Sequence, residues 1–527
     1  MSRLRFLAGV LAGVLAALLA VPRAHAQTID TIVIERRDIF GPASGAPPLL
    51  AKLGDGLHMR TSDRTIRRAL YLDQGMPYDS ARIAEAERGL RMLAIFRDVR
   101  IDTTRVDTQA GPRFGVVVRT ADGWSTKPQL EYRSTAGDVT WQLGLVEENL
   151  LGTATLFAAV FGRTPDRDYL SLTYGNQDSL TRRSRIDMRF DNLTDGHVGA
   201  WRYGVPFYET TTPGALLTYG QVANQRVLVY RAGVLAESWQ RRIFVAGLFG
   251  GLASAATPTS YSRFTLRAVV RREDYAPDTV AVIGRSIFGQ VGLGFETARV
   301  HWAVRERLDS YGRREDVDLS SRLSAGVSVL PGFFGYDAAH RGVGLETVVQ
   351  TGHEWADLLA VATVRAHGVV NGNGLDTGRV AGRLAAAIFP PRQALLLALE
   401  GALARDPAPG GEYDLWLERT GPRLFGAHAF TGTRAYSVTL EDRIALTDEF
   451  LGLLALGIAP FVDQGGAWYT DDARRTGGNA GLAIRIGPTR ATSGEVFELA
   501  GGWRWSSDRT VEGWAVSFGT AYRFFAR

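Results

Sequence analysis

Residues 421–443 read G-P-R-L-F-G-A-H-A-F-T-G-T-R-A-Y-S-V-T-L-E-D-R, and residues 461–466 read F-V-D-Q-G-G. Arg423 comes first, in a loop, and Glu441 and Asp463 follow in two runs where apolar and polar residues alternate. Side chains of a strand point alternately to opposite faces, so both acids lie opposite the apolar rows. Those apolar rows are Tyr436, Val438, Leu440, Leu456, Ile458 and Val462. A loop arginine that can fold back onto two inward acids predicts a β-barrel whose lumen holds more than water.

The first 26 residues have the features of a secretory signal peptide. Arg3 and Arg5 precede an apolar run from Leu7 to Val21, and A-H-A before Gln27 fits a cleavage site. The formal net charge of the 527-residue chain is +5, and loss of the three arginines in this segment lowers it to +2. A nearly neutral mature chain does not indicate nucleic-acid binding.

The amino-acid composition narrows the classes of protein to which the chain can belong. The chain has no cysteine, which excludes thiolate metal sites and cysteine nucleophiles and fits an exported protein without disulfides. After the signal segment, no apolar run reaches the roughly 18 residues that a transmembrane helix needs. Sixty glycines suit either a soluble β protein or an outer-membrane barrel.

Residues 27–122 have the pattern of a small α+β unit, with the order β-α-α-β-β. Residues 28–34 are rich in β-branched side chains and predict a strand. Ser62 or Asp63 is suited to cap a short helix, and Asp79 or Ser80 a second one. Apolar residues fall on one stripe of each predicted helix: Ile66, Ala69 and Leu70 in the first, and Ile83, Ala86, Leu90 and Leu93 in the second. Residues 99–101 and 114–118 predict two further strands.

Residues 123–527 lose helical periodicity and repeat an alternation of apolar and polar residues between turn clusters. In residues 185–191 the polar row reads Arg-x-Asp-x-Arg-x-Asp, as expected of a wet, charged lumen. A soluble β-sandwich would also alternate, but the region is long for one sandwich and has no segment resembling an interdomain linker. A closed barrel is the only β structure that spans lipid without an unpaired edge. We therefore expect a transmembrane barrel, with a soluble all-β protein as the alternative.

At several points the chain resembles the BamA/TamA superfamily of outer-membrane barrels, also called the bacterial surface antigen family. Residues 65–99 are similar to the core of a periplasmic POTRA domain, and residues 143–152 (L-G-L-V-E-E-N-L-L-G) to the family's first barrel hairpin. Residues 421–443 are similar to its inward-folded loop, with R-L-F where the family has R-G-F or R-G-Y. Residues 461–465 fit its F-x-D-x-G strand motif.

The resemblance implies a POTRA-like domain followed by a barrel of sixteen antiparallel strands. It also implies that Arg423 packs in the lumen against Glu441 and Asp463 as a structural lock. Arg434 is a competing loop arginine, and the three charges could instead be ordinary solvated lumen residues. Leu424 stands where the family has glycine, so the loop tip is expected to differ, since glycine permits φ > 0 and close approach.

The C-terminus resembles the family's β-signal, the strand that assembly machinery reads in an incoming barrel. Residues 519–524 (G-T-A-Y-R-F) supply its Gly519, Tyr522 and Phe524. The last strand is expected over residues 514–524, and the first near residues 130–141.

We expect no enzyme, no metal and no cofactor. His353 begins an H-E pair, but position 357 is Asp, so no H-E-x-x-H helix exists, and neither G-x-S-x-G nor a Walker A loop occurs. The leading hypothesis is an outer-membrane protein that inserts or passes a client polypeptide, or lipid, through a lateral barrel seam. Expected partners are outer-membrane lipid and an unfolded client or periplasmic protein bound by the POTRA-like domain, with no nucleic acid and a monomeric state. The alternatives are a passive channel or binding barrel with a degenerate POTRA domain, and a two-partner secretion translocator.

Overall fold

The computed structural model describes residues 27–40, 45–108, 111–135, 138–277, 284–332, 341–492, 495–508, 511–521 and 523–525. The expected signal peptide and Tyr522 lie outside these residues. The described chain is mainly β, with a small three-stranded sheet and a large barrel. Within it, no helix is long and apolar enough to cross a membrane.

A three-stranded sheet packed with helices forms the N-terminal unit. Its central strand pairs in parallel with the first strand and antiparallel with the second. Ser62 and Asp79 cap two of the helices as predicted, because their side chains accept hydrogen bonds from the backbone N–H of Thr65 and Ala81. The elements are β1 (Thr31–Arg37), α1 (Pro48–Leu57), α2 (Asp63–Ala69), α3 (Ser80–Met92), β2 (Phe96–Thr108) and β3 (Gly111–Asp122).

The expected order of two helices is wrong, because α1 is an additional helix. Its sequence, P-L-L-A-K-L-G-D-G-L, contains two glycines, which lower helix propensity and hide the element from pattern analysis. Gly54 is there for packing: a Cβ at this position would lie 2.5 Å from the ring of Phe40 and 3.0 Å from that of Trp124. Tertiary contact therefore overrides local preference at α1.

In the described part of the chain twenty antiparallel strands form the barrel, and the strand order closes with the last strand beside the first. Two short hairpins stand outside the ring, β14–β15 and β21–β22. The strands are β4 (Thr126–Thr135), β5 (Asp138–Glu147), β6 (Thr155–Arg163), β7 (Asp168–Asn176), β8 (Arg185–Leu193), β9 (Gly196–Val205), β10 (Gly214–Arg231), β11 (Val234–Thr257), β12 (Ser260–Pro277), β13 (Gly284–Arg299), β14 (Trp302–Glu306), β15 (Arg314–Asp318), β16 (Ser321–Leu330), β17 (Gly342–Trp355), β18 (Leu358–Asn371), β19 (Gly374–Ile388), β20 (Gln393–Ala404), β21 (Tyr413–Asp414), β22 (Thr431–Gly432), β23 (Arg434–Phe450), β24 (Leu454–Trp468), β25 (Thr476–Pro488), β26 (Phe497–Ser506) and β27 (Gly513–Thr520).

The expectation of sixteen strands is therefore wrong. The number came from the resemblance, and the chain fits more strands because many of them are short. Strands β4 to β9 have only 9 or 10 residues each, whereas β10 to β13 have 16 to 24. The barrel wall is consequently low where the ring closes and high on the side of β10 to β13.

The outer surface of the barrel is apolar and its inner surface is polar. In β27, Trp514, Val516 and Phe518 face outward with exposures of 75%, 61% and 39%, while Ser517 faces inward and is buried. In β8, the predicted polar row forms ion pairs, with Arg185 on Asp187 at 2.7 Å and Arg189 on Asp191 at 2.9 Å. A closed barrel with this surface is a membrane-spanning barrel of the outer-membrane type.

Both terminal strands of the barrel differ from the sequence-based expectation. The region expected as the first strand, residues 130–141, contains the end of β4 and the start of β5, with residues 136–137 outside the described residues. The final strand ends at Thr520 rather than near Phe524. Phe524 is only 2% exposed and packs with Leu308 in a hydrophobic cluster. The alternating pattern past Thr520 thus belongs to a tail, because burial against the 307–313 loop replaces strand pairing there.

Candidate functional site

The N-terminal unit docks at one end of the barrel, here called the proximal end. Glu85 of α3 accepts a 2.7 Å hydrogen bond from the backbone N–H of Thr210, between β9 and β10. Arg91 of α3 binds Asp316 of β15 with two hydrogen bonds, at 2.8 Å from Nε and 2.6 Å from Nη2. Arg314 lies 3.1 Å from Glu87. The β14–β15 hairpin is therefore held by α3.

The connection between β20 and β23, residues 405–433, leaves the opposite, distal end and folds back into the barrel. Its short β21–β22 pair joins Tyr413 to Gly432 and Asp414 to Thr431. Beyond this pair the chain reaches Arg423, whose side chain is only 3% exposed. We call residues 405–433 the inner loop.

Three acids on three different strands surround the Arg423 guanidinium. Its Nη2 lies 2.8 Å from Glu441 of β23, its Nε lies 2.8 Å from Asp463 of β24, and its Nη1 lies 2.8 Å from Glu498 of β26. Asp463 also accepts the backbone N–H of Arg423 at 3.2 Å. The guanidinium stacks 4.0 Å from the ring centre of Phe461. One arginine thus ties the inner loop to the wall by charge-assisted hydrogen bonds and a cation–π contact.

The structure brings together the loop arginine Arg423 and the two acids that strand parity had placed inward, Glu441 and Asp463. Arg434, the competing arginine, is exposed at the start of β23. Glu498 was missed, although it alternates with Phe497 and Leu499 and the same parity rule could have found it.

Leu424 explains how the loop tip accommodates a residue other than glycine. It is not among the positive-φ residues of the described chain, so no left-handed backbone is required there. Its side chain is fully buried against Ala459, Ala483 and Ala500. These alanines are register partners on β24, β25 and β26, and their small side chains leave the space that Leu424 fills.

Glu441 extends the cluster toward the proximal end. Its Oε1 accepts hydrogen bonds from Nε of Arg443 and Nη1 of Arg485, both at 2.6 Å. Arg443 continues to Asp309 at 3.0 Å, in the 307–313 loop between β14 and β15. Asp309 in turn accepts the backbone N–H of Phe524 at 2.9 Å. A continuous series of ion pairs and hydrogen bonds therefore joins the inner loop to the proximal hairpin and the C-terminal tail.

The charged side chains of this cluster pair with one another inside the barrel. We call it the lumen ion cluster, and its charged members are Arg423, Arg443, Arg485, Glu441, Asp463, Glu498 and Asp309. Buried charges of this kind are tolerated only when paired, and removal of one partner leaves the others desolvated and uncompensated. Among the described residues, no three His, Asp or Glu side chains are grouped so that they could hold a metal ion.

A second tie fastens the inner loop at the distal end. His428 lies between two carboxylates, with Nδ1 at 2.5 Å from Asp414 and Nε2 at 3.1 Å from Asp166 of the β6–β7 turn. Its ring stacks on Tyr230 with centroids 3.8 Å apart. Burial lowers the pKa of His428, but the hydrogen bonds to the two carboxylates outweigh it and raise the pKa to about 9. The sequence contained no signal for this tie, because its members are far apart in the chain.

Replacement of Arg423 by Ala should destabilise the folded barrel. It leaves three buried carboxylates without their common partner, for which we expect a loss of about 3–5 kcal/mol. The measurement is the temperature at which the folded protein loses its heat-modifiable gel migration. Arg434→Ala is the matched control because that arginine is exposed, and equal transitions for both variants would contradict the lock.

Alkaline pH should loosen the His428 tie. The folded-state pKa of about 9 lies above the ordinary value of 6.5, so this stabilisation is complete below about pH 6.5 and is lost as pH rises through 9. We expect the gel-migration transition to fall between pH 7 and pH 10, and to fall less in His428→Gln. If the transition temperature falls by the same amount in both proteins, His428 is not the source of the pH dependence.

Comparison with known proteins finds structural similarity only. No protein-family model matches the chain, and neither does any curated protein. The structural neighbours include BamA from Haemophilus ducreyi lacking POTRA domains 1–3, at 11% identity and a TM-score of 0.36, covering 94% of this chain and 85% of that chain. They also include CdiB from Acinetobacter baumannii, at 10% identity and a TM-score of 0.41, covering 94% of this chain and 74% of that one. CdiB from Escherichia coli matches at 10% identity and a TM-score of 0.45, covering 95% and 91%. The chain is thus similar, at low identity, to barrels described as BamA and CdiB.

Proposed function

We propose that the chain is an outer-membrane barrel of the BamA/TamA type, exported by a signal peptide over residues 1–26. In this proposal residues 27–122 form a POTRA-like domain in the periplasm and residues 123–527 form the barrel. The sequence motifs support this assignment, as does the docking of the N-terminal unit at the proximal end through Arg91 and Asp316. The proximal end is then the periplasmic end.

Its function is to insert or pass a client polypeptide, or lipid, through a lateral seam between β27 and β4. The observation that carries this proposal is that elements from both ends occupy the lumen and are joined by the lumen ion cluster. The inner loop enters from the distal end, and the β14–β15 hairpin and the tail enter from the proximal end. A route along the barrel axis would have to break these contacts, whereas a lateral route would leave them in place.

The seam includes β27, the shortest strand of the described barrel. Strand β27 has 8 residues and β4 has 10. At about 3.4 Å per residue and a tilt of about 40°, eight residues span roughly 21 Å, less than the apolar band of about 25 Å in such barrels. A short wall thins the adjacent bilayer, and this favours strand exchange or lipid movement at that point. Arg423 reaches Glu498 of β26, the strand next to β27, and so braces the wall beside the seam.

The N-terminal sheet offers edges for a client strand. In the order β1-β3-β2, the outer strands pair with a strand on one side only among the described residues, and β2 is 13 residues long. At β2 the Ile101 N–H already donates to Glu87 and the Val99 C=O accepts from Arg314, so the rest of that edge is the part open to a client. An extended segment can add to such an edge through backbone hydrogen bonds, which give affinity without demanding a particular sequence. This would hold an unfolded client close to the proximal end of the barrel.

A passive channel or binding barrel is the second candidate, and one observation favours it. A cavity of about 370 Å³ remains in the lumen between the inner loop and the tail. Its lining includes Arg365, Arg383 and Glu400 together with Phe524. A small polar solute would fit this cavity, although the inner loop closes one side of the cavity and the tail closes another.

The seam proposal predicts a specific effect of a covalent cross-link. The chain has no cysteine, so pairs of cysteines can be introduced along β4 and β27 and oxidised without competing thiols. In a deletion strain complemented with such a variant, we expect oxidation to lower the levels of other outer-membrane proteins or to disturb outer-membrane lipid. Quantitative proteomics and lipid analysis of isolated outer membranes provide the measurement.

The matched control joins two strands that the proposal does not require to part. Leu145→Cys with Ala159→Cys links register partners of β5 and β6 and should have no effect. A deletion strain with normal outer-membrane proteins and lipid, and altered permeation of a small solute alone, would overturn the assembly proposal and favour the channel.

The C-terminal motif gives a separate prediction. We propose that the C-terminal segment with Gly519, Tyr522 and Phe524 acts as the assembly signal, although Phe524 lies beyond the last strand and is buried. Phe524→Ala should then lower the yield of folded barrel in the outer membrane about as far as truncation after Thr520 does. Phe518→Ala, on the outer face of β27, is the control. Normal yield with raised conductance in planar bilayers would instead assign Phe524 to closing the lumen.

A further inference from the structure

A cleft lies between the N-terminal unit and the proximal end of the barrel. Its volume is about 480 Å³, within the range of small-molecule sites. Helices α2 and α3 form one wall, and the β7–β8 and β9–β10 connections form the other. It is separate from the lumen ion cluster and shares no residue with it.

The polar lining of this cleft is strongly basic. Arginines 64, 68, 183 and 185 line it, and Asp178 is the single acidic residue among the lining residues. Arg68 is paired with Asp178 at 2.8 Å, and Arg185 is paired with Asp187, outside the cleft, at 2.7 Å. In the described part of the chain neither Arg64 nor Arg183 forms an ion pair, although Glu209 lies near enough to Arg183 to interact with it electrostatically. Arginines still outnumber acids in the lining of the cleft.

Arg183 is held in a constrained position. Its φ is +68°, in the left-handed region, and its guanidinium lies 4.4 Å from the ring centre of Tyr208 and 5.4 Å from that of Tyr71. Nη1 donates a 2.6 Å hydrogen bond to the Tyr208 hydroxyl. The buried Nε has no hydrogen-bond partner among the described residues. A buried donor without a partner is costly, and an anion in the cleft would satisfy it.

Two further lining residues share this unusual backbone. Tyr71 has a φ of 55° and Ala154 a φ of 54°. Left-handed backbone at residues other than glycine costs about 1–3 kcal/mol and persists where the surrounding structure enforces it, often at binding sites. Three such residues in one cleft indicate that the surrounding structure enforces the shape of the cleft.

The cleft also continues from the lipid-facing surface of the barrel. On β7, Leu170, Leu172 and Tyr174 form an outward row, each 39% exposed. Asn176 is the next residue on that face and already lines the cleft. A ligand whose charged group sits at Arg183 can therefore place an apolar chain against this row, at the level where headgroups meet the hydrocarbon core.

We propose that this cleft binds the phosphate group of a membrane phospholipid, with Arg183 and Arg64 as its ligands. The guanidinium group matches phosphate geometry and remains charged at all physiological pH values. The proposal rests on the membrane placement given above but not on any client or seam. It assigns the junction of the two units a lipid, which would fix their relative position only when the barrel is in a membrane.

The test is binding of short-chain phosphatidylglycerol to the full mature chain held in an amphipathic polymer, followed by titration calorimetry. We expect one saturable site per chain, and binding about tenfold weaker in Arg183→Gln and in Arg64→Gln, the loss expected for one charge-assisted hydrogen bond. Arg67→Gln is the matched control, because Arg67 lies on the same helix but outside the cleft. Unchanged heat-modifiable migration shows that each variant is folded.

Two further titrations separate the possible ligands. Inorganic phosphate should bind much more weakly than the lipid, since it lacks the apolar chain, and equal affinity would overturn the lipid assignment. A peptide ending in a phenylalanine carboxylate tests a polypeptide ligand, and tighter binding of the peptide would also overturn it. Equal lipid binding by wild type, Arg183→Gln and Arg64→Gln would show that the cleft is not the lipid-binding site. None of these outcomes depends on whether the seam opens.

Discussion

We propose that the interior of the barrel depends on one interaction, the contact of Arg423 with three carboxylates. The inner loop enters a polar lumen where water would otherwise hydrate both the arginine and the acids. Since Glu441, Asp463 and Glu498 stand on different strands, one guanidinium fixes the loop and also fixes the spacing of the wall. The net contribution of such buried ion pairs to the free energy of folding is small. Removing one partner costs more, because the remaining charge stays desolvated. The cluster therefore specifies one arrangement of loop and wall more than it adds stability.

The same charges connect the two ends of the molecule. Arg443 carries the network from Glu441 to Asp309, and the hairpin bearing Asp309 is held by Arg91 of α3 through Asp316. A partner that pulled on α3 would act on the hairpin first and on the lumen ion cluster second. In the proposed function a client passes at the short strands of the seam, because the lumen is occupied in this way. The basic cleft next to α3 adds a place where membrane lipid can influence the same helix.

Local rules predicted much of this architecture. Alternation of side chains along a strand placed Glu441 and Asp463 inward, and capping rules located the starts of α2 and α3 to within one residue. The same rules could not count strands, because the number depends on how short each strand is, and the resemblance supplied sixteen in place of twenty. They also failed for Phe524, whose alternating context suggested a strand although the tail turns inward to bury it. Asp309 and His428 were out of reach for another reason, since their partners are distant in sequence and meet only when the barrel closes.

The central claim is that Arg423 and its acids act as one coupled unit, and a double-mutant cycle measures that coupling directly. The cycle compares Arg423→Ala, Asp463→Ala and the double variant by the free energy of unfolding from membrane-mimicking vesicles. If the two side chains stabilise each other as the geometry indicates, the double variant should be less destabilised than the sum of the single variants, by about 1–3 kcal/mol. Additive effects within about 0.5 kcal/mol would show that the contact does not hold the inner loop and would contradict the claim.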